Sequence, residues 1–239
     1  MLTIYGRKPV LEALQDPQIP VYCVHLADSN KPADILRDIV QLAEKRAIPI
    51  KHHGKLELSR ISKNSREDQG VAADLQLPRY QRLDAFLRAQ SPAPAAKLLA
   101  VDRITNPQNL GMLIRSAAAG GVSGVLLPSS GSAALSPLVI KASAGTLFKC
   151  PIVRCGDLGA ALADLQRAGW QVCTLSSHAR QDLFELRKTA PRVYVLGNET
   201  EGVGSAIDDL ADVAVRIPMA NGVESLNVAV TAALLAYYG

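Results

Sequence analysis

Residues 97–128 read KLLAVDRITNPQNLGMLIRSAAAGGVSGVLLP, and the order of apolar and polar runs in this stretch decides the fold class. Aliphatic runs at 98–101 and 124–127 predict strands that are buried on both faces. Residues 112–119, between them, predict a helix. Because parallel strands need a long crossover connection, which a helix usually supplies, the stretch predicts one strand–helix–strand unit of a parallel sheet.

The same alternation continues toward the C-terminus. Further strands are predicted at 170–175, 193–196 and 213–217, and further helices at 137–144 and 156–168. The sequence therefore predicts an α/β fold, with a mostly parallel sheet that helices cover on both faces. Since ligands bind beyond the carboxyl ends of the strands in such sheets, the residues after Val101, Leu196 and Ile217 are candidates for a functional site.

The first 77 residues predict a smaller α/β domain. Helices are expected near 7–14 and 32–46, and strands near 21–26, 48–51 and 71–75, with a polar turn before the last strand. Residues 78–96 contain three prolines, which favours a linker with one short helix near 83–88. The expected organisation is a domain at 1–77, a linker at 78–96 and a larger domain at 97–239.

Composition narrows the class of protein. Hydrophobic residues make up 48% of the chain and charged residues 20%, which is typical of a globular protein rather than a disordered one. Residues 1–90 hold 14 basic against 11 acidic side chains, so most of the net charge of +4 lies in the first third. This charge permits a polyanionic partner without requiring one.

Two kinds of site are not expected. The four cysteines lack the close paired spacing of a zinc site, so buried, reduced thiols and no metal are predicted. No apolar run approaches the roughly 20 residues that span a bilayer, and the N-terminus lacks the blocks of a secretory signal. The protein is expected to be cytoplasmic, without a membrane partner.

Three segments carry candidate chemistry, and the first is residues 106–116. Asn109 is predicted to cap the following helix, and Gly111 to let another backbone or a ligand approach closely. Arg115 lies within that helix, between apolar neighbours. Its guanidinium is expected either to extend to the surface or to be held for a phosphate or carboxylate.

The second segment, residues 196–204, reads LGNETEGVG and follows a predicted strand. Its three glycines predict a tight loop whose amides can face a ligand. The spacing is not that of a dinucleotide-binding loop, and two glutamates would repel a pyrophosphate. A ligand-binding loop and a purely structural turn both remain open.

The third segment, residues 217–230, leads into a helix that Ser225 is predicted to cap. An apolar stripe at helical spacing follows, and it favours the core or a subunit interface; it comprises Leu226, Ala229, Val230, Ala233, Leu234 and Tyr237. Asn227 would need a hydrogen-bonding partner if it were buried in the first turn.

Together these segments closely resemble the SpoU (TrmH) family of RNA 2′-O-ribose methyltransferases, within the SPOUT superfamily. The matching motifs are N-x-G-x-x-x-R from Asn109 to Arg115, G-N-E-x-x-G from Gly197 to Gly202, and I-P-M with S-L-N-V between Ile217 and Val228. The likeness spans about residues 97–239. Short stretches at 5–14 and 69–71 are similar to the L30e-like RNA substrate-binding domain of the ribosomal-RNA branch.

The resemblance implies a C-terminal portion threaded into a trefoil knot, a homodimer formed through the catalytic domain, and S-adenosylmethionine as cofactor. It assigns cofactor contacts to five residues: Leu196, Gly197, Ile217, Met219 and Leu226. It assigns the proton-accepting role to Arg115, supported by four further catalytic residues: Asn109, Glu199, Ser225 and Asn227. The sequence departs from the usual pattern at Thr200, where family members commonly have Gly, and in the turn 220–224.

The implied reaction is methyl transfer to a ribose 2′-hydroxyl in RNA, with 23S rRNA favoured as substrate. A guanidinium keeps its proton at neutral pH, so a second hypothesis has Arg115 fix the substrate phosphate and stabilise the developing alkoxide. The alternatives are a tRNA substrate and a catalytically silent RNA-binding homologue. The polar residues 51–66 are the candidate RNA-contact surface, and an ordinary solvated face is the competing interpretation.

Overall fold

A computed structural model describes residues 2–17, 19–76, 80–89, 92–187, 189–198 and 200–238. The chain divides into two compact units, Met1–Pro78 and Arg79–Gly239. Within the described residues, no helix is both long and apolar enough to cross a membrane.

In the described part of the first unit, four strands form one sheet in the order β1-β4-β2-β3. The elements in chain order are β1 (Leu2–Tyr5), α1 (Arg7–Gln15), β2 (Val21–Ala27), α2 (Asp34–Lys45), β3 (Ile50–His53), α3 (Lys55–Ser62) and β4 (Val71–Leu75). Strand β4 runs antiparallel to both of its neighbours, whereas β3 runs parallel to β2. The predicted small α/β unit is therefore present.

Helix α3 occupies the stretch that the sequence predicted as a polar turn. Most of its residues are polar or exposed, but Leu58 is 1% exposed and packs with Ala27 and Ala72. One buried leucine per two turns is enough to dock a short helix on a sheet, although it gives no clear apolar stripe in the sequence.

The second unit contains one parallel sheet. The described elements are β5 (Gln81–Arg82), α4 (Leu83–Ala89), β6 (Lys97–Val101), α5 (Pro107–Ala119), β7 (Gly124–Pro128), α6 (Pro137–Ala142), β8 (Ile152–Cys155), α7 (Leu158–Arg167), β9 (Gln171–Leu175), β10 (Gln181–Asp182), β11 (Arg192–Leu196), α8 (Ser205–Asp208), β12 (Val213–Arg216) and α9 (Val228–Tyr237). The order across the sheet is β10-β12-β9-β11-β6-β7-β8-β5, and every described pair is parallel. The expected parallel α/β architecture is confirmed.

Alternate side chains of the central strands enter cores on opposite faces of this sheet. Leu98 and Ala100 of β6 lie in one cluster with Leu162 of α7 and Phe86 of α4. On the other face, α5 packs against α9 and contacts β7. Burial on both faces explains why these strands are continuous aliphatic runs rather than alternating ones.

Part of the segment predicted as a linker is built into this unit. Strand β5 pairs with β8, and α4 places Phe86 against Trp170 with ring centroids 6.0 Å apart. The short helix predicted near 83–88 lies at Leu83–Ala89.

Helix α9 is fixed to the central strand β6 and to α5. Lys97 Nζ, in β6, donates to the carbonyl oxygens of Ala236 and Tyr238. A Cβ on Gly120, just after α5, would lie 2.5 Å from the Cβ of Ala236, so the glycine permits this close helix contact.

The four cysteines are buried, as the composition predicted. Burial raises the pKa of Cys150 and Cys173 to about 12 and that of Cys155 to about 11. At neutral pH these thiols stay protonated and unreactive. In the part of the chain that the structure describes, no group of three or more His, Cys, Asp or Glu side chains is placed to hold a metal ion.

Candidate active site

Two of the predicted segments follow adjacent strands. Strands β6 and β11 pair in register over their full length, so the residues after Val101 and after Leu196 leave the sheet side by side. Strand β12 lies two positions from β11, beyond β9. The carboxyl ends of these parallel strands meet at one edge of the sheet, where the sequence placed the functional site.

The loop after β11, described at 197–198 and 200–204, closes on itself. Asn198 and Gly202 exchange backbone hydrogen bonds of 3.0 and 2.9 Å, and the Asn198 side chain accepts from the amide of Thr200 at 2.9 Å. A Cβ on Gly197 would lie only 2.2 Å from the carbonyl carbon of Gly202. Only glycine fits at position 197, as expected for a tight loop of this kind.

Two residues that the sequence did not single out, Asp102 and Arg103, hold this loop. The buried carboxylate of Asp102 accepts from the amide of Gly204 at 2.8 Å, and the Arg103 guanidinium contacts the carbonyl oxygen of Gly202 at 3.2 Å and pairs with the Glu201 carboxylate. Arg103 has a positive φ of 55°, and its own carbonyl oxygen accepts from the Asn198 side chain at 3.2 Å. The loop is therefore clamped at both ends to the residues that follow β6.

The prediction that Asn109 caps α5 is wrong. The helix begins earlier, at Pro107, and Asn106 is its cap, accepting from the amide of Gln108 at 2.9 Å. Asn109 instead lies in the first turn, 8% exposed, and its Oδ1 accepts from Nδ2 of Asn227 at 3.2 Å. This bond joins the first and third predicted segments.

The prediction that Ser225 caps the last helix is also wrong. Helix α9 begins at Val228, and Asn227 caps it by accepting from the amide of Ala229 at 2.9 Å. Ser225 is exposed and lies outside the helix. Asn227 thus uses its oxygen for the cap and its amide group for Asn109. The residue is exposed, so the requirement of a partner for a buried amide does not apply to it.

The face of α9 that packs inward differs from the predicted apolar stripe. The buried positions are Val228, Ala229, Ala232, Leu235 and Ala236. Val230 is 49% exposed and Tyr237 is 66% exposed, so most of the predicted stripe lies on the outer face. The core interpretation is therefore wrong for most of the stripe, and the subunit interface stays a prediction. Helix α9 is apolar on nearly all sides, and spacing alone does not decide which side is buried.

Arg115 is exposed on α5, and within the described residues it makes no ion pair. The side chain reaches the surface, and its expected contact with a phosphate or carboxylate stays a prediction. Glu199 lies outside the described residues.

Gly111 takes the close contact predicted for it. A Cβ there would lie 2.5 Å from the Cβ of Ala142 and 2.7 Å from the carbonyl oxygen of Val139. Helix α6 therefore rests on the second turn of α5 and fixes the helix that carries both Asn109 and Arg115.

The residues expected to contact a cofactor differ in how far they are exposed. Leu196 is buried at the end of β11, Gly197, Ile217 and Leu226 are half-buried, and Met219 is 37% exposed. In the loop between Ile217 and Leu226, the described backbone hydrogen bond is that from Val223 to Ala220, at 3.1 Å. Apolar side chains and open peptide groups together fit a ligand with a flat apolar part and polar edges.

Comparison with known proteins gives family matches for both units of the chain. The profile of the SpoU rRNA Methylase family matches residues 96–237, and that of the RNA 2′-O ribose methyltransferase substrate-binding domain matches residues 3–81. A protein of Mycolicibacterium vanbaalenii named as an uncharacterized tRNA/rRNA methyltransferase is 34% identical over 235 residues, which cover 97% of this chain and 74% of that protein.

Solved structures give the same result. The SpoU methyltransferase AviRb from Streptomyces viridochromogenes, in complex with AdoMet, superposes with a TM-score of 0.73 at 25% identity, covering 99% of this chain and 88% of that one. A protein described as an RNA 2′-O ribose methyltransferase superposes with a TM-score of 0.69 at 26% identity, covering 99% and 86%.

Proposed function

The chain belongs to the SpoU rRNA methylase family, and we propose on this basis that it methylates a ribose 2′-hydroxyl in RNA, most favourably in 23S rRNA. It is an RNA methyltransferase of the kind that uses S-adenosylmethionine, the cofactor bound in AviRb. The ribose as acceptor is supported by the match of residues 3–81 to the substrate-binding domain of ribose methyltransferases.

The observation that carries the proposal is the junction of the three segments. Asp102 and Arg103 bind the loop at 197–204, while Asn109 binds Asn227. Residues more than 90 positions apart in sequence are thereby connected at one edge of the sheet. These connections hold the segments at the edge of the sheet where the family motifs predict the site.

S-adenosylmethionine supplies an electrophilic methyl group on a sulfonium sulfur. When bound, it would lie against the half-buried side chain of Leu226, and peptide groups near Gly197 and Met219 would donate or accept its hydrogen bonds. Leu196 is buried at the end of β11 and would position the loop rather than offer surface to the cofactor. Ile217 follows β12 directly and begins the loop that contains Met219 and Leu226. The clamped loop would hold the bound cofactor in one place before RNA binds, and positioning of this kind raises the rate of transfer.

We place Arg115 in contact with RNA, as a cation that fixes the substrate phosphate and stabilises charge on the attacking oxygen. Its exposure supports this placement, because the side chain can reach a bound polyanion. A guanidinium retains its proton at neutral pH, so the 2′-hydroxyl proton leaves to a phosphate oxygen or to water. Asn109 and Asn227 orient the site through their mutual hydrogen bond, and Ser225 and Glu199 are assigned supporting roles by the family motif.

Transfer of a labelled methyl group from S-adenosylmethionine to total RNA tests the activity directly. Alkaline hydrolysis then locates the label. A labelled dinucleotide that resists hydrolysis would identify ribose methylation, because a methylated 2′-oxygen cannot attack the neighbouring phosphate and cleave the strand. No incorporation into either rRNA or tRNA would favour the silent RNA-binding homologue instead. The presence of Arg115 and Asn227 argues against that alternative.

The choice between rRNA and tRNA rests on the first unit. The relatives carry the combined name tRNA/rRNA methyltransferase, so tRNA remains the second candidate. We favour rRNA because residues 5–14 and 69–71 resemble the domain of the ribosomal-RNA branch. Mapping 2′-O-methylated positions in cells with and without this protein would identify the nucleotide.

We further propose a homodimer that buries the outer face of α9, and the trefoil knot that the family implies. Val230 and Tyr237 lie on this face beside Phe184, and together they line an open cavity of about 460 Å³. We take a second copy of this chain as the occupant, because the family resemblance implies a homodimer formed through the catalytic domain. Val230→Glu should give a monomer in analytical ultracentrifugation, whereas Tyr22→Glu, at an exposed tyrosine of the first unit, should leave the dimer intact.

A further inference from the structure

A pocket of about 420 Å³ lies within the first unit, where three loops meet. The loops are the start of α1, the residues after β2 and the connection from α3 to β4. Building on the proposed function, we propose that this pocket binds a single unpaired nucleotide of the RNA substrate, with its phosphate on two lysines at the rim. The candidate surface at 51–66 shares only part of α3 with it.

Hydrogen bonds between the loops give the pocket fixed walls. Arg7 donates from Nε to the carbonyl oxygen of Gln69 at 3.2 Å and from Nη2 to Oδ1 of Asn30 at 3.4 Å. Asn30 in turn donates from Nδ2 to the carbonyl oxygen of Gly70 at 2.7 Å. Gly70 has a φ of 75°, and a Cβ there would lie 2.3 Å from Oδ1 of Asn30, so no other residue allows this closure.

The charge at the rim favours an anion. Lys31 and Lys55 line the pocket, are exposed, and form no ion pair among the described residues. The acid of the pocket, Asp68, is already occupied: its carboxylate accepts from the Ser62 hydroxyl and from the Gly70 amide, both at 2.9 Å. The two ammonium groups and the Arg7 guanidinium outnumber this carboxylate, so the lining is net positive and faces a phosphate favourably, as RNA binding requires.

The floor of the pocket is apolar. Ala27 and Leu58, which line it, are 5% and 1% exposed and belong to the small core beneath α3. An apolar floor, a few placed polar groups and this volume are typical of a small-ligand pocket. A splayed nucleoside fits such a surface, since proteins read RNA mainly in loops whose bases are unstacked.

The test measures binding of a short fluorescein-labelled single-stranded RNA of mixed sequence to the full-length protein over a range of salt concentrations. The variant Lys31→Ala/Lys55→Ala should weaken binding about tenfold, as expected when contacts to a charged group are lost. The salt dependence of log Kd should fall by about 0.7, because the two lysines share one phosphate and each neutralised phosphate of a single strand contributes about 0.7.

Two further double variants decide whether the pocket is responsible. Lys8→Ala/Lys45→Ala removes the same charge from exposed positions of the same unit that do not line the pocket. Lys51→Ala/Arg60→Ala removes it from the candidate surface at 51–66. If either of these lowers the affinity and the salt dependence as much as the pocket variant does, the proposal is wrong.

A variant without any charge change tests the pocket itself. Ser29 is an exposed residue of the pocket lining. The substitution Ser29→Tyr should partly fill the pocket and weaken RNA binding, while the salt dependence of log Kd stays near that of the wild type. Wild-type affinity in Ser29→Tyr would show that no nucleotide enters. All these variants should bind S-adenosylmethionine normally; failure of the wild type to bind it would contradict the proposed function and not the pocket.

Discussion

Substitution of Gly197 should show how much the closed loop at 197–204 contributes to cofactor affinity. In Gly197→Ala, the new Cβ would lie 2.2 Å from the carbonyl carbon of Gly202 and 2.3 Å from its oxygen. Carbon contacts are normally about 3.5 Å or longer, so the loop must open by roughly 1 Å. Opening by this amount breaks the two backbone hydrogen bonds between Asn198 and Gly202.

Each of those bonds contributes about 1 kcal/mol, so the closed loop should cost about 2 kcal/mol to restore. If S-adenosylmethionine binds the closed loop, its Kd should rise roughly 30-fold. Isothermal titration calorimetry measures this, and the melting temperature should fall by about 4 to 8 °C, since a protein of this size loses about 2 to 4 °C per kcal/mol.

The matched control is Gly204→Ala at the other end of the same loop. Its Cβ would meet Nη2 of Arg103 at 3.4 Å and the Asp102 carboxylate at 3.5 Å, which are ordinary contacts, and its φ of −62° suits alanine. Cofactor affinity in this variant should match the wild type. The reasoning is refuted if Gly197→Ala binds the cofactor normally, or if both variants are weakened to the same extent.

Three further predictions concern the two helices of the site. Arg115→Ala should lower kcat by about 100-fold or more, whereas Arg115→Lys should keep the acidic limb of the pH–rate profile; a shifted limb would instead indicate a base. Asn227→Ala should lower the free energy of unfolding by about 1 kcal/mol in urea titrations, while Ser225→Ala should not, and equal losses would place the cap elsewhere. Lys97→Met keeps the apolar stem but removes the donor to the last carbonyls of α9, so it should destabilise the protein by about 1 to 2 kcal/mol; an unchanged urea midpoint would count against that role.

The sheet of the second unit was predictable because its strands are buried on both faces. Strands of this kind are aliphatic runs, so β6, β7, β9 and β11 were recognised close to their observed bounds. Strand β12 was recognised too, although only Val215 of it is buried. Strand β8 was not, because Arg154 interrupts its short apolar run, whereas the arginine of β12 stands at the end of that strand. Local pattern identifies long apolar elements well and short mixed ones poorly.

The helix caps show where a local rule leaves a choice. Asn106 and Asn109 are both good capping residues, and the signal that separates them is Pro107, which favours the first position of a helix. Between Ser225 and Asn227 the sequence offers no such signal. Tertiary contact decides there, since Asn227 also binds Asn109.

The clamp formed by Asp102 and Arg103 could not have been predicted from spacing. Arg103 and Glu201 are 98 positions apart, and Asp102 and Gly204 are 102 apart. An acidic residue directly after a strand end is a weak hint of a site at the edge of a parallel sheet. Its partner becomes evident only when β6 and β11 are known to be neighbours.

The contact between α5 and α9 has a consequence for synthesis on the ribosome. Lys97 and Ala236 are 139 positions apart, so α5 and the start of β6 leave the exit tunnel long before the helix that covers them. Until α9 arrives, the surface of α5 around Gly120 stays exposed to solvent and to other nascent chains. Contacts this distant form late and slowly, and a half-made chain of this kind is a natural client for a chaperone.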